Sequence, residues 1–308
     1  MSERRAVALF VVLAVVWGTA FVAIKAGLAA LPPVLFAAVR YDIAAVLMLG
    51  YAALSSDYWL PRTRADWLTL LVEGTLIIAL YNAFLFVGQQ GVTSGVAAIL
   101  IGVSPILSTG FARLFLPSER LTALGSLGLI VGFLGVVLVA RPTPAALGGG
   151  SALPSALVVL AAAAVALGSV LVQRLDSDIS SAGMVAWSTA LGAVLLHGIS
   201  AGLVGESVGA VDVTPRSVVA VLYLAIFASA VGYVVYFDLL ARVGAIEINL
   251  VSYAVPVVAA LAGWLVLDER LGALDVVGFC CIFTGFLLLK RRAVLAELAP
   301  VVAHVGRR

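Results

Sequence analysis

The chain has 308 residues, 63% of them hydrophobic and 11% charged, with a mean hydropathy of +1.19. A soluble domain of this length cannot bury so much apolar surface, so the composition excludes a water-soluble fold and puts the chain in a lipid bilayer. The formal charge of +2 comes from sixteen Arg and two Lys against sixteen acidic residues, and gives no basis for a nucleic-acid partner.

A membrane helix needs about twenty mainly apolar residues to cross about 30 Å of hydrocarbon. Ten segments meet that requirement: about 6–31, 33–54, 67–90, 92–115, 121–140, 154–175, 182–205, 217–243, 246–267 and 271–289. The first follows MSERR, and its run of roughly twenty-five apolar residues exceeds the about 7–15 of a cleavable signal. Lys25 and Pro32-Pro33 stand where small residues would mark a cleavage site, so this run is expected to stay as the first span.

Polar side chains inside such spans are costly and usually face the bundle interior. In span 1, Trp17, Phe21 and Lys25 recur at steps of four, and Trp17 lies too deep for an interfacial aromatic belt, which favours a cavity wall. Lys25 has two readings, an anion contact or a side chain that snorkels to the surface. Span 2 carries Arg40 and, on nearly the opposite face, Asp42. In span 3, Thr75, Asn82 and Gln89 recur every seven residues on one face, while Glu73 is about half a turn out of phase with Asn82. Both cannot line one cavity unless that helix bends. Asp42 and Glu73 are the candidates for proton coupling. Ser104 and Ser108 flank Pro105 in span 4, either as ligand contacts or bonded to their own helix. His197, alone in span 7, reads better as a packing residue than as a proton relay. Asp238 and Arg242, four residues apart, with Glu247 close by, form either a cytoplasmic gate or a solvated ion pair. In span 9, Asn249, Ser252, Tyr253 and Pro256 make a polar stripe.

One stretch occurs twice. ERLTALGSLGLIVGFLGVVLVAR at 119–141 and ERLGALDVVGFCCIFTGFLLLKR at 269–291 agree at ten of twenty-three positions without a gap. Pro105 lies fourteen residues before the first Glu and Pro256 thirteen before the second, so both are candidate hinges near the midplane. The chain therefore reads as two copies of one unit, 1–145 and 146–292, followed by a cytoplasmic tail, 293–308. With the amino terminus inside, thirteen basic residues fall on the cytoplasmic side and three outside, which puts both termini in the cytoplasm. Five spans per copy then invert the second copy relative to the first. The expected fold is an all-α membrane protein of ten transmembrane helices in two inverted five-helix repeats, an architecture suited to alternating access.

Glycine faces in spans 5 (Gly125, Gly128, Gly132, Gly135) and 10 (Gly278, Gly285) suit close helix packing, within the chain or in a homodimer. Cys280 and Cys281 are expected as small core residues. No phosphate loop, HExxH, GxSxG or CxxC is present, so neither an enzyme, nor a metal site, nor a cofactor is expected.

WGTAFVAIKAG in span 1, Arg40 in span 2, GVTSGVAAILIGVSPILSTGFARLFLPSERLT and its echo GAIEINLVSYAVPVVAALAGWLVLDERLG together resemble the EamA-type branch of the drug/metabolite transporter superfamily. The resemblance covers about 8–290. It implies a ten-helix inverted-repeat carrier whose cavity is lined chiefly by the first four helices of each repeat, with Trp17, Arg40, Ser104, Pro105, Tyr253 and Pro256 as core or cavity elements. Asp42 departs from the usual apolar residue after the Arg. The expectation is a secondary transporter of the cytoplasmic membrane, exporting a small metabolite such as an amino acid, with Trp17, Arg40, Asn82, Ser104, Asn249 and Tyr253 at the substrate. The alternatives are a passive channel, a nucleotide-sugar or phosphosugar exchanger, and a non-transporting scaffold.

Overall fold

The computed structural model describes residues 3–115, 123–141, 152–243, 248 and 250–305, with side chains as far as residue 289. Among the described residues regular structure is helical throughout. α1 (Glu3–Gly27) and α2 (Pro33–Ser55) are joined by a short turn, and Pro33 starts α2 where its missing N–H is not needed. The Glu206 carboxylate caps α2, accepting from the N–H groups of Val34 and Leu35 at 3.0 and 2.7 Å. α3 (Arg64–Val72) continues through a π-helical stretch, π1 (Glu73–Leu80), into α4 (Tyr81–Gln89). α5 (Ser94–Ile101) and α6 (Ser104–Phe115) are two halves of one span, broken at Gly102 and Val103, and α7 (Ala123–Ala140) follows.

The second half runs through α8 (Leu153–Val172) and α9 (Ser181–Gly198), which extends into π2 (Ile199–Val204). α10 (Pro215–Leu222), π3 (Tyr223–Val231) and α11 (Gly232–Val243) are continuous, and α12 (Val251–Leu267) and α13 (Ala273–Val305) complete the chain. Seven of these helical stretches are long and apolar enough to cross a membrane, and three shorter apolar helices lie at Leu124–Ala140, Val251–Leu267 and Ala273–Leu289.

Local features of the first half recur in the second. α3 and α10 each start on a threonine capping box, Thr63 with Asp66 and Thr214 with Ser217, and each widens into a π-helix after eight or nine residues. Packing repeats too: α2 packs on α9, α1 on α12 as α8 does on α5 and α6, and α4 on α8 as α11 does on α1. Asp66 also ties two loops together. Its carboxylate accepts from Tyr58 Oη at 2.5 Å, Ser177 Oγ at 2.8 Å and the N–H groups of Arg62 and Thr63 at 2.9 Å. That hydrogen bond holds the proton on Tyr58 and raises its pKa above the usual phenol value.

α7 and α13 form a pair at the flank of the bundle. A Cβ on Gly135 would sit 2.5 Å from the Gly278 carbonyl oxygen, and one on Gly128 would sit 2.6 Å from that of Gly285. The two backbones touch, so these glycines are used inside the chain. Cys280 is not a core residue as expected: it is exposed and Cys281 half-buried, because α13 has α7 as its main neighbour and turns its remaining faces outward. Gly135→Ala should lower the thermal transition of the detergent-purified protein by several degrees, as overpacking by about 1–3 kcal/mol would. Gly110→Ala, where nothing lies within 4 Å, should leave it unchanged.

Candidate functional site

The polar centre is built on the π-helical stretches. At about 100° per residue, the nine positions from Glu73 to Asn82 leave the two side chains half a turn apart. A π turn uses about one residue more than an α turn, so π1, which fills the interval, brings them near to two whole turns and the same side. Both are buried, and Glu73 accepts a hydrogen bond from Ser188 Oγ on α9 at 3.0 Å.

Asn82 donates through Nδ2 to the Ile78 carbonyl at 2.7 Å and to Tyr41 Oη at 3.1 Å, which fixes which end of the amide is nitrogen. Arg40 donates from Nη2 to the same Tyr41 Oη at 3.2 Å and to Ser229 Oγ in π3 at 3.1 Å. Its guanidinium lies over the rings of Tyr41 and Phe86, at 4.5 and 5.6 Å from their centres. Tyr81 and Tyr233 stand within electrostatic reach of Arg40 and Tyr41. Arg40 is 7% exposed and Asn82 fully buried, yet Arg40 Nε and Asn82 Oδ1 have no partner. Among the described residues no carboxylate is paired with Arg40; Arg141 pairs with Asp275 and His197 with Asp42. A buried cation deprived of a counter-charge costs about 3–5 kcal/mol, so this centre is strained in charge and suited to an anionic group.

Trp17 borders the centre. Its Nε1 donates to the Ala228 carbonyl at 3.1 Å, one residue from Arg40's partner Ser229, and its ring packs on Tyr236. Other expected site residues are elsewhere. Ser104 Oγ bonds the Ile101 carbonyl at 2.6 Å, the own-helix reading. Tyr253 packs its ring on Phe283 and Phe286 of α13, leaves its hydroxyl unpartnered and is not among Arg40's contacts. Asp42 points away from the centre to pair with His197, both half-exposed. Asp238 is half-buried on α11; Glu247, Asn249 and the Arg242 side chain lie outside the described residues. Tyr41, Tyr81, Ser229 and Tyr233 were not singled out from the sequence. Each pair had a signal: Tyr41 and Tyr81 adjoin Arg40 and Asn82, and Ser229 and Tyr233 are spaced i, i+4 in one apolar span.

The two prolines behave differently. Pro105 is the second residue of α6, directly after the break at Gly102 and Val103, whereas Pro256 sits within an unbroken α12. Pro256 has no N–H for the Ser252 carbonyl, and a Cβ on Gly102 would come 3.7 Å from that oxygen. The break in one span thus abuts the freed carbonyl of the other.

The bundle is tied at the end that carries the α1–α2 turn. There Lys25 Nζ donates to the carbonyls of Gln89, Gln90 and Val92, each at 2.9 Å. Gln89 Nε2 reaches the Phe21 carbonyl at 2.6 Å, and the Ser94 N–H donates to Glu269 at 2.8 Å. Six of the eight residues of α5 are buried, whereas Ile106 is the buried residue of the twelve in α6, towards the other end. A surface recess of 520 Å³ beside Thr93, Arg141 and Arg270, and an apolar groove of 290 Å³ along Leu35, Val39 and Val218, both lie apart from the Arg40 group.

Residues 4–141 match the EamA-like transporter family, and residues 153–291 match the same family again. The chain belongs to the EamA-like transporter family. Among similar proteins, the uncharacterized transporter YvbV of Bacillus subtilis is 28% identical over 98% of this chain and 96% of its own length. The uncharacterized inner membrane transporter YedA of Escherichia coli is 28% identical over 94% and 92%. A chloroplastic WAT1-related protein of Arabidopsis thaliana is also 28% identical, over 85% of this chain and 64% of its own. A solved crystal structure shares the fold at a TM-score of 0.65, with 19% identity across 96% of this chain and 100% of the other. Family membership and these relatives make the chain a multi-pass membrane transporter, not an enzyme.

Replacing Lys25 by Met removes three of the links at the tied end. A cysteine at Ala97, fully buried one turn below Ser94, should then react at least fivefold faster with a membrane-impermeant maleimide added from that side, in a background lacking Cys280 and Cys281. Equal rates would mean that Lys25 does not hold this end shut.

Proposed function

We propose that the protein is a secondary transporter that exports a small metabolite, an amino acid in the first instance, across the cytoplasmic membrane by alternating access. The observation that carries this reading is Arg40, a buried guanidinium with no counter-charge and a free Nε, joined through Tyr41 to Asn82, whose Oδ1 is also free. An α-carboxylate supplies the missing charge and the acceptor for Arg40. An ammonium group supplies the donor for Asn82. Trp17 and the tyrosines around the centre give the substrate an aromatic wall.

The transport cycle rests on symmetry. The family unit matches twice, and the π-helices, threonine caps and packing partners recur between the halves. These recurrences support two five-helix repeats in ten spans, and the basic-residue count of thirteen against three supports inverted copies with both termini in the cytoplasm. On that orientation the tied end faces outward and the looser end, with α6 and α11, faces the cytoplasm, as an exporter would when receiving its load. Glu73 is the remaining candidate for a coupling proton, being buried next to Ser188.

The test is counterflow of radiolabelled amino acids in proteoliposomes. Uptake should saturate and be stimulated by unlabelled amino acid on the opposite side. Arg40→Gln should reduce it about 10- to 100-fold, the loss expected for a charge-assisted hydrogen bond of about 1.5–3 kcal/mol, with Arg40→Lys intermediate. Asn82→Ala should weaken binding of amino acids more than of the matching deaminated acids. Unsaturated flux without counterflow would instead identify a channel, and counterflow confined to neutral solutes would remove the carboxylate.

A further inference from the structure

One polar cluster plays no part in that site. Asp42 on α2 and His197 on α9 are joined by a hydrogen bond of 2.8 Å between Oδ2 and Nε2, and their side chains are 49% and 44% exposed. At ~1.5 Å per residue, Asp42 lies roughly 13 Å in from Pro33, and His197 roughly 10 Å in from Val204, the ends of their spans. Both therefore sit within the ~30 Å of hydrocarbon. Their neighbours on this face are apolar and open, Val46 at 72% and Val194 at 67%. It is a lipid-facing surface with an acid–imidazole pair in it, where ionisable groups are rare because they are costly. The pair satisfies one oxygen and one ring nitrogen; Asp42 Oδ1 and His197 Nδ1 have no partner among the described residues.

The same face is bare of bulk. Gly50 on α2, Gly198 on α9 and Gly202 on π2 have nothing within 4 Å of where a Cβ would stand. The glycines of α7 and α13, by contrast, are spent on each other. Small residues let a second helix come close enough for its backbone to pack.

We propose that this α2–α9 face is where two copies of the chain associate, around a twofold axis normal to the membrane. The argument for a second copy is self-complementarity. Such an axis keeps every residue at its own depth and brings residue i to j and j to i. The acid and the imidazole already share one depth, so the rotation sets Asp42 opposite His197 of the partner subunit, and His197 opposite the partner's Asp42. An imidazolium donates from both ring nitrogens. Two Asp and two His, with one acidic proton shared within each pair, thus close a neutral ring of four hydrogen bonds, and the pair leaves the lipid.

The full-length chain with Cys280→Ser and Cys281→Ser, reconstituted in phosphatidylethanolamine–phosphatidylglycerol vesicles, tests this. Val194→Cys should cross-link to a dimer under mild oxidation, and Leu134→Cys, on the lipid-facing side of α7, should not. Adding Asp42→Asn with His197→Leu should cut the cross-linked fraction at least fivefold. A monomeric Val194→Cys, or equal cross-linking at Leu134→Cys, would overturn the proposal. A second measurement needs no substitution on the face: fluorophore bleaching of the chain labelled at its carboxyl terminus, at less than one dimer per vesicle. Two-step bleaching is expected, and single steps throughout would refute a dimer. Neither readout involves transport, so the result stands apart from the assignment of the Arg40 site.

Discussion

Hydrocarbon offers no water to take up a spare hydrogen bond, and every polar group in a span has to be answered by the chain itself. Most of this protein's are. Thr19, Ser104, Thr109 and Ser169 return their hydroxyls to carbonyls three or four residues back. Glu206 answers the open end of α2, and Lys25 answers three carbonyls at the α4–α5 turn. Against that background Arg40 stands out. Its partners are neutral hydroxyl oxygens and aromatic faces, where a carboxylate would be expected. Its position depends on α2, α4 and π3 meeting at one level, so the packing of the centre and its chemistry are one constraint.

Much of the architecture was legible in the sequence because hydropathy and length are blunt, cumulative signals. The doubled stretch and the ten apolar segments could both be read from residue order. The individual site contacts were less legible, for a physical reason visible at Glu73 and Asn82. Phase arithmetic assumes α-helical turns, and a π-helix of eight residues between them changes the phase by about half a turn. The same effect hides Ser229 and Tyr233, which lie at the end of π3 and the start of α11. Tyr253 shows another limit. Its ring lies in aromatic contact with Phe283 and Phe286, a tertiary preference that spacing cannot report.

Lys25 shows a further limit. An anion contact and a snorkelling side chain were both open, and the hydrogen bonds of Lys25 go to neither an anion nor open solvent alone. The ammonium instead collects backbone carbonyls from the end of α4 and the start of the next span. A turn as short as Gln90–Gly91 leaves carbonyls without helical partners, and a cation one helix away can collect them. The charge is then a tether between elements, and this end of the bundle closes on it.

The two prolines mark where two backbone defects inside the bundle meet. A helix that stops inside a bilayer exposes carbonyls and N–H groups that only protein or a water-lined cavity can cover. The interruption at Gly102 and Val103 is covered by α12, at the level of the Ser252 carbonyl that Pro256 leaves unbonded. Neither defect is tolerable facing lipid, and each shelters the other. The buried half-span α5 and the partly exposed α6 diverge from this same point. The break in the fourth span is therefore also where the two ends of the bundle begin to differ.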